Sequence, residues 1–429
     1  MLRGHKIRIY PNNEQETYLK KGCGTARFAY NWSLDKWIGE HSQMPEMIAL
    51  NEAKAADYNP DRKKTKKQAK KDRKAAKKKA EGDLREALRA NEERLDEGSY
   101  RKELNGIKRE KYPWMYDVTK CAVQLAIKND FASAVKHYLG KEKFGFPQFK
   151  KKGRNDSFRM DYTALSGIEA INYECQYLKI PSLEAPLKMA EALRIKGKIM
   201  AVVISRKADK CYASFTVETD ISEIIKTYRF PDSKNQAVGV DLGIKDLATL
   251  SNGKVIEGSK ATRQYAEKLA RAQKSLSRKT GSNKGEEKSK NYLKQQVKVA
   301  RIHKQITDAR HDALHKLTTF LVVNHSVIGI EDLNIKGMLA NHKLAKHIAD
   351  GAFYEFKRQL LYKAEATGAK VVLAGPFYPS SKLCSSCGAV YEGLKLSERE
   401  WGCQYCGAHH NRDLNAAINL EKIALDALA

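Results

Sequence analysis

The sequence predicts a multidomain protein of mixed α/β class, and three features carry that prediction. Short apolar runs bounded by turn residues, such as Gln236–Gly253, indicate β-strands. Apolar residues at helical spacing over Lys260–Arg278 and Lys290–Val323 indicate two long helices. Two cysteine pairs near the C-terminus indicate a small metal-stabilised module. The 429 residues allow about two to four domains.

The composition indicates a polyanionic partner. The chain has 79 Lys and Arg against 51 Asp and Glu, a formal net charge of +28. This excess is larger than an ordinary metabolic enzyme carries, and it favours nucleic acid. No apolar run approaches the roughly eighteen residues of a membrane span, and the N-terminus lacks the apolar core of a signal peptide. We therefore expect no membrane partner.

The hairpin Gln236–Gly253 contains the first candidate site residue. Asp241 interrupts its apolar run, and burying a carboxylate at a strand is costly unless something pairs with it. Gly243 follows and leaves space beside the carboxylate. This order of a strand, an Asp, a Gly and a second strand resembles the start of ribonuclease H-like nuclease domains. There the Asp is the first metal-binding acid. The alternative is a purely structural role, in which Asp241 only caps a turn.

Two further acids make the metal-binding interpretation stronger. Glu331 ends the short apolar run that begins at Ser326, which predicts a buried strand. Asp413 lies in the first turn of a predicted helix that starts near Asn411. Three carboxylates from separate elements suit two Mg²⁺ or Mn²⁺ ions about 4 Å apart, which is the arrangement that phosphodiester hydrolysis uses. Arg412 could stabilise a transferring phosphate, or it could pair with Asp413 and hold it in place.

The cysteine pattern predicts a structural zinc ion. Cys384, Cys387, Cys403 and Cys406 form C-x2-C, fifteen residues, and C-x2-C. Four thiolates fill the tetrahedral shell of one Zn²⁺ and leave no open position for catalysis. We expect the adjacent His409 and His410 to contact solvent or nucleic acid. The remaining cysteines should be buried small apolar residues in a reducing compartment; they are Cys23, Cys121, Cys175 and Cys211.

The segment with the four cysteines has the spacing of a zinc ribbon, and its position in the chain makes a family resemblance specific. It lies just before the third acid, and the chain also contains KIRIYPNNEQETYLKKGCGTARFAYNWSL and FGFPQFKKKGRNDSFRM. With these features the chain resembles the TnpB proteins of bacterial insertion sequences over nearly its whole length. Miniature type V CRISPR effectors share the same features. The chain departs from compact TnpB proteins mainly in a long basic insertion within residues 60–111.

The resemblance implies a specific architecture and place of action. A wedge β-barrel carries an inserted helical recognition lobe, and a ribonuclease H-like (RuvC) α/β nuclease domain carries an inserted zinc ribbon. We expect the barrel at 1–12 and 144–222, the lobe at 13–143, the nuclease domain at 223–378 and 408–429, and the ribbon at 379–407. The resemblance also implies a cytoplasmic protein of a bacterium or archaeon, associated with the nucleoid.

The implied activity is RNA-guided DNA cleavage. A guide RNA would pair with one strand of a double-stranded target DNA, and one RuvC site would cut beside a short flanking motif. A miniature CRISPR effector is the nearest alternative, because the difference lies in the RNA and the neighbouring genes. A transposase, which uses three acids on this fold, and a nuclease-silent RNA-guided repressor are further alternatives.

Two groups of residues are expected to contact the nucleic acid directly. By motif, Lys120, Gln124 and Thr163 match the positions that read the flanking duplex in TnpB relatives. Lys can contact guanine, Gln can contact adenine, and Thr can contact a thymine methyl. Twelve of the eighteen residues of Arg62–Lys79 are Lys or Arg. We expect this run to belong to a charged helical hairpin that extends from the body and binds phosphates without sequence preference. The candidate phosphate-binding lysines are Lys63, Lys64, Lys66, Lys67, Lys70, Lys71 and Lys74.

Overall fold

The computed structural model describes residues 1–55, 66–91, 95–140, 144–161, 176–225, 228, 235–243, 246–281, 287–340, 351–395 and 398–427. The chain forms two compact units, Met1–Thr219 and Asp220–Ala429. Both contain helices and sheets, which confirms the mixed α/β class. In the described part of the chain, no helix combines the length and apolar character that crossing a membrane requires.

The first unit contains a six-stranded antiparallel sheet. Its strands occur in the order β2–β5–β6–β1–β4–β3, and β2 and β3 form the edges within the described residues. Ile7 and Ile9 alternate with more exposed residues and enter the core. The strands are β1 (Leu2–Tyr10), β2 (Ser157–Asp161), β3 (Tyr177–Leu178), β4 (Leu187–Met189), β5 (Lys198–Lys207) and β6 (Lys210–Glu218).

The described helices of the first unit lie in the chain between β1 and β2. The first begins at a capping box, in which the Asn12 side chain accepts from the Gln15 backbone N–H at 2.8 Å and the Gln15 side chain accepts from Asn12 at 3.0 Å. The helices are α1 (Asn13–Glu40), α2 (Pro45–Ala55), α3 (Lys66–Ala90), α4 (Glu97–Lys111), a 3₁₀ turn (Pro113–Asp117), α5 (Cys121–Leu125), a π-helical turn (Ala126–Phe131) and α6 (Ala132–Leu139).

The prediction that the charged insertion extends from the body is wrong. Leu84 and Leu88 of α3, and Tyr100 and Leu104 of α4, are buried in the core of the first unit. These residues recur at intervals of four, so each helix presents one apolar stripe to the core. The three scattered cysteines that the structure describes are buried as expected, whereas Cys175 lies outside the described residues.

The second unit is built on a five-stranded sheet in the order β11–β10–β7–β8–β9. Strand β10 is parallel to β7 and β11, and β7, β8 and β9 form an antiparallel meander. The predicted hairpin and the predicted strand before Glu331 are therefore confirmed. The strands are β7 (Asn235–Asp241), β8 (Ala248–Leu250), β9 (Val255–Ile256), β10 (His325–Glu331) and β11 (Lys370–Ala374), with a separate pair of β12 (Glu400–Gly402) and β13 (His409–Asn411).

Helices cover both faces of this sheet. Val238 and Val240 pack with Leu321 and Phe356 on one face. The alternate residue Gly239 faces the C-terminal helix on the other. The two predicted long helices are confirmed as α8 and α9. The helices of this unit are α7 (Ile221–Ile225), α8 (Ala261–Ser277), α9 (Lys290–Asn324), α10 (Ile335–Ala340), α11 (Phe353–Thr367) and α12 (Arg412–Asp426).

Candidate functional site

Two of the predicted acids lie side by side at one edge of the second sheet. Strands β7 and β10 are parallel, and Val240 is in register with Ile330. Each strand ends one residue later, β7 with Asp241 and β10 with Glu331. Adjacent parallel strands present their carboxyl ends at the same edge. The sheet therefore brings together two carboxylates that are far apart in the sequence.

Glycines on these strands allow the helix that carries the third acid to approach closely. A Cβ atom at Gly239 would lie 1.8 Å from the Ala417 carbonyl oxygen, and one at Gly329 would lie 2.1 Å from the Leu420 carbonyl oxygen. Contacts this short are impossible, so the backbone of α12 can rest on the sheet only because both residues are glycine. Each acid follows its glycine by two residues and thus faces the same side as α12.

The first turn of α12 presents Asp413. The Asn411 side chain caps this helix by accepting from the backbone N–H groups of Asp413 at 3.2 Å and Leu414 at 3.1 Å. A carboxylate in the first turn is also favoured by the helix dipole. Capping and packing together fix the start of α12, and with it Asp413, beside the ends of β7 and β10.

The three acids interact electrostatically, and Asp241 responds most strongly. Burial, followed by the negative charges of Glu331 and Asp413, raises the pKa of Asp241 to about 7. The positive charges of Arg412 and Arg399 act in the opposite direction. A half-buried carboxyl beside two other acids is a group whose ionised form needs a cation nearby.

Each of the other two acids has a partner that the sequence analysis missed. Ser380 donates a hydrogen bond from its hydroxyl to Glu331. Arg399 contacts both carboxylate oxygens of Asp413, at 3.0 and 3.2 Å. Arg412, which the sequence singled out, donates to the Lys395 carbonyl oxygen at 3.3 Å.

The acid next to Glu331 belongs to a different environment. Asp332 forms an ion pair with Lys357 at 2.6 Å. In the described part of the chain, the tight cluster of metal-ligating side chains is formed by the four cysteines, so the three acids are neighbours without converging on one point.

The four cysteines are arranged as two matching turns. Their sulfur atoms lie within 4.8 Å of one another. In each turn the backbone carbonyl oxygen of the first cysteine accepts from a glycine N–H at 2.9 Å, that of Gly388 for Cys384 and that of Gly407 for Cys403. Both glycines have positive φ, 78° and 73°, a conformation that side chains disfavour. The arrangement can hold one tetrahedral Zn²⁺.

Backbone groups favour the thiolate that a metal needs. The N–H groups of Cys406 and Tyr405 lower the pKa of the Cys403 thiol, whereas hydrogen bonding with Cys387 raises the pKa of the Cys406 thiol. A zinc ion binds the deprotonated sulfur, so these N–H groups prepare the ligand for the metal.

His410 is half-buried and packs against the cysteines, a contact that the sequence analysis did not predict. Its Nε2 atom lies 3.0 Å from the Cys384 sulfur, and its ring lies 4.8 Å from that of Trp401. The strand pair β12–β13 places Trp401 opposite His410 and so brings the imidazole to the cysteines. His409 is exposed.

Two asparagines connect the segment before the first cysteine pair to α12. Asn415 donates to the Leu383 carbonyl oxygen at 2.7 Å and accepts from the Ser385 N–H at 2.9 Å. Asn419 donates to the carbonyl oxygens of Ser380 at 2.8 Å and Leu383 at 2.6 Å. The helix that presents Asp413 therefore also positions the loop whose serine contacts Glu331.

The residues predicted to contact nucleic acid are only partly described. Lys120 is exposed at the start of α5, and Gln124 lies half-buried within it. Thr163 lies outside the described residues. Of the basic run, Lys71 and Lys74 are exposed on α3. The others are described only as helix backbone (Lys66, Lys67 and Lys70) or lie outside the described residues (Lys63 and Lys64).

Comparison with known proteins identifies relatives along the whole chain. Family models match residues 215–342 ("Probable transposase"), 353–420 ("Cas12f1-like, TNB domain") and 1–44 ("Helix-turn-helix domain"). A "Putative RNA-guided DNA endonuclease" of Streptomyces pristinaespiralis is 31% identical over 437 residues, which cover 100% of this chain and 90% of the relative.

Two further relatives extend this comparison. The "Putative RNA-guided DNA endonuclease InsQ" of Escherichia coli (strain K12) is 33% identical over 322 residues, 72% of this chain and 75% of the relative. The "CRISPR-associated endodeoxyribonuclease Cas12f1" of Sulfoacidibacillus thermotolerans is 27% identical over 128 residues, 28% of this chain and 29% of that protein.

Proposed function

This chain belongs to the TnpB family, and from that membership we propose that it is an RNA-guided DNA endonuclease that cuts beside a short flanking motif. A guide RNA pairs with one strand of a double-stranded target, and the protein holds the resulting heteroduplex through its backbone. The formal net charge of +28 supports a nucleic-acid partner. A single site cuts both DNA strands in turn.

The observation that carries the proposal is the meeting of Asp241, Glu331 and Asp413 at one edge of the second sheet. Carboxylate oxygens are the ligands that Mg²⁺ and Mn²⁺ prefer, and a bound cation would offset both the burial and the repulsion by Glu331 and Asp413 that raise the pKa of Asp241. These residues therefore fit two divalent ions. Bound there, the ions supply the charge that activates water and stabilises the leaving oxygen.

The surrounding residues have positioning roles in this proposal. Ser380 orients the Glu331 carboxylate, and Arg399 holds Asp413 until a metal or a phosphate draws it away. Arg412 lies next to Asp413 in the chain and adds positive charge near Asp241, so it can stabilise the transferring phosphate. The zinc ion of the four cysteines is structural, because their thiolates leave no open ligand position.

We assign the units to the domains that the family resemblance implies. The order β11–β10–β7–β8–β9, with an antiparallel meander beside parallel strands, supports a ribonuclease H-like (RuvC) nuclease domain with the ribbon inserted before α12. The six-stranded sheet with α1–α6 between its first two strands in the chain supports a wedge barrel with an inserted recognition lobe. Lys120, Gln124 and Thr163 read the flanking duplex, and the basic run contacts phosphates.

A miniature type V CRISPR effector is the second candidate function. The match of residues 353–420 to the "Cas12f1-like, TNB domain" model favours it, since this segment contains the ribbon and the third acid. Both candidates use the same chemistry and differ in the source of the RNA. Sequencing the RNA that co-purifies with the protein distinguishes them, because a CRISPR effector would carry a repeat-derived RNA.

The test of the nuclease site is cleavage of a labelled DNA duplex by the protein with its co-purified RNA and Mg²⁺. Asp241→Ala should retain binding of RNA and target but lose cleavage of both strands, because a single site cuts both. Asp332→Ala is the matched control, since this acid pairs with Lys357 and should leave cleavage intact. Nicking of one strand by the Asp241→Ala protein would refute the single-site mechanism.

A further inference from the structure

The first unit contains an aromatic-lined cleft that the proposed cutting mechanism does not use. Its volume is about 670 Å³, within the range of small-molecule sites. One wall is a stripe of α1 that includes Thr25, Phe28 and Trp32, and the other wall contains Trp114 and Phe149. We call this feature the stacking cleft.

The aromatic rings of the stacking cleft are held in a fixed arrangement. The Phe28 ring centre lies 4.8 Å from that of Tyr112 and 5.3 Å from that of Trp114, the latter at an interplanar angle of 86°. Trp114 nevertheless remains 42% exposed, and Phe149 remains 45% exposed. Trp114 is thus held by neighbouring rings with much of its surface in water, and Phe149 adds a second exposed ring; together they favour a flat apolar ligand.

A polar group at the bottom of the cleft is also unsatisfied. The Thr25 side chain is only 1% exposed, and its hydroxyl has no hydrogen-bond partner within the described part of the chain. Buried hydroxyls are almost always hydrogen-bonded, so this one indicates a missing ligand group. Charged groups also line the cleft, including the ion pair of Lys21 with Asp117 at 2.7 Å.

We propose that the stacking cleft holds one unpaired nucleobase of the bound nucleic acid, a conclusion that rests on the proposed nucleic-acid-guided function. The base stacks on Trp114 or Phe149, and one of its edge atoms hydrogen-bonds to the Thr25 hydroxyl. Aromatic platforms of this kind bind bases because every base has an apolar face and a polar edge. The cleft thus anchors a single-stranded nucleotide in the first unit and takes no part in the cut.

The first experiment measures binding to short single-stranded RNA and DNA oligonucleotides that carry 2-aminopurine, whose fluorescence falls on stacking. The wild-type protein should quench this fluorescence. Trp114→Ala should weaken binding by roughly 5- to 100-fold and abolish most of the quenching. Trp114→Phe should retain most of the affinity. Tyr116→Ala is the matched control, because Tyr116 lies in the same 3₁₀ turn, is 57% exposed and does not line the cleft.

The second experiment tests the buried hydroxyl without disturbing the aromatic rings. Thr25→Val should fold at least as stably as the wild type, since it removes an unsatisfied hydroxyl. It should nevertheless bind the same oligonucleotides about 2- to 10-fold more weakly. If Thr25→Val binds as tightly as the wild type, the hydroxyl contacts no base and this part of the proposal is wrong.

The two oligonucleotides identify the source of the base. Stronger quenching and a larger Trp114→Ala effect with RNA assign the cleft to the guide, and the reverse result assigns it to a displaced DNA strand. If the wild type, Trp114→Ala and Tyr116→Ala all bind each oligonucleotide with the same affinity, the proposal is overturned. This outcome would leave the nuclease function untouched, because the latter is tested by cleavage with Asp241→Ala.

Discussion

The most informative single substitution is Asp241→Asn, because it should stabilise the metal-free fold while abolishing cleavage. The pKa of Asp241 rises from its ordinary value of 3.8 to about 7. A difference of one in pKa corresponds to about 1.4 kcal/mol, so the ionised carboxylate destabilises the fold by up to about 4 kcal/mol. Asparagine has nearly the same shape and carries no charge. The variant should therefore recover most of this free energy.

The pH dependence follows from the sign of this change. An acid with a raised pKa in the folded state is protonated in the folded and unfolded chains below pH 3.8, so the variant and the wild type should then be equally stable. The stability advantage of the variant should grow as pH rises toward 7 and stay constant above it. For a domain of this size, the full difference corresponds to roughly 10 °C in melting temperature.

The assay is thermal and denaturant unfolding of both zinc-loaded proteins in Mg²⁺-free buffer without chelator, between acidic and mildly alkaline pH. Asp332→Asn is the control; it removes one surface ion pair, so it should change stability by at most about 1 kcal/mol, and in the destabilising direction. Adding Mg²⁺ should raise the wild-type melting temperature more than that of Asp241→Asn, since a bound ion stabilises the fold. A variant that is no more stable than the wild type at alkaline pH in the Mg²⁺-free buffer would refute the reasoning.

Three further predictions concern zinc, phosphate contacts and base readout. Cys384→Ser should unfold the ribbon and abolish cleavage. Metal analysis should find about one zinc per wild-type chain and less in the variant. Full zinc occupancy and full activity in the variant would contradict a folding role. Replacing the lysines of Arg62–Lys79, Lys71 and Lys74 among them, by glutamine should weaken binding and flatten its log–log salt dependence by about 0.7–0.9 per lost phosphate contact, and an unchanged slope would mean that the run is only solvated. Alanine at Lys120 or Gln124 should relax preference at one or two base positions by ~1–3 kcal/mol in a randomised-flank cleavage library, whereas a uniform loss of activity would indicate structural roles.

The elements that present the site could be predicted because their signals are local. The apolar runs before Asp241 and Glu331 are short and continuous, which predicts strands. The spacing within each cysteine pair predicts a metal-binding turn. The start of the helix that carries Asp413 is likewise indicated by the capping residue Asn411.

The partners of these residues could not be predicted, because they are set by packing between distant segments. Arg399 reaches Asp413 only because β12 and β13 pair, and His410 reaches Cys384 for the same reason. The sequence shows that α3 is highly charged, but the burial of Leu84 and Leu88 depends on which helices lie beneath them. Local pattern therefore locates the acids and cysteines, and tertiary contacts decide what orients them.

The glycine contacts of α12 make the proposed three-acid site depend on the docking of a single helix. The sheet that carries Asp241 and Glu331 precedes α12 in the chain, so both acids can be in place while the third is still missing. Asp413 joins them only when α12 docks on Gly239 and Gly329. Transient detachment of this one helix would therefore separate the acids without unfolding the first unit. In such a state the first unit would stay folded while the proposed cutting site has lost one of its three acids.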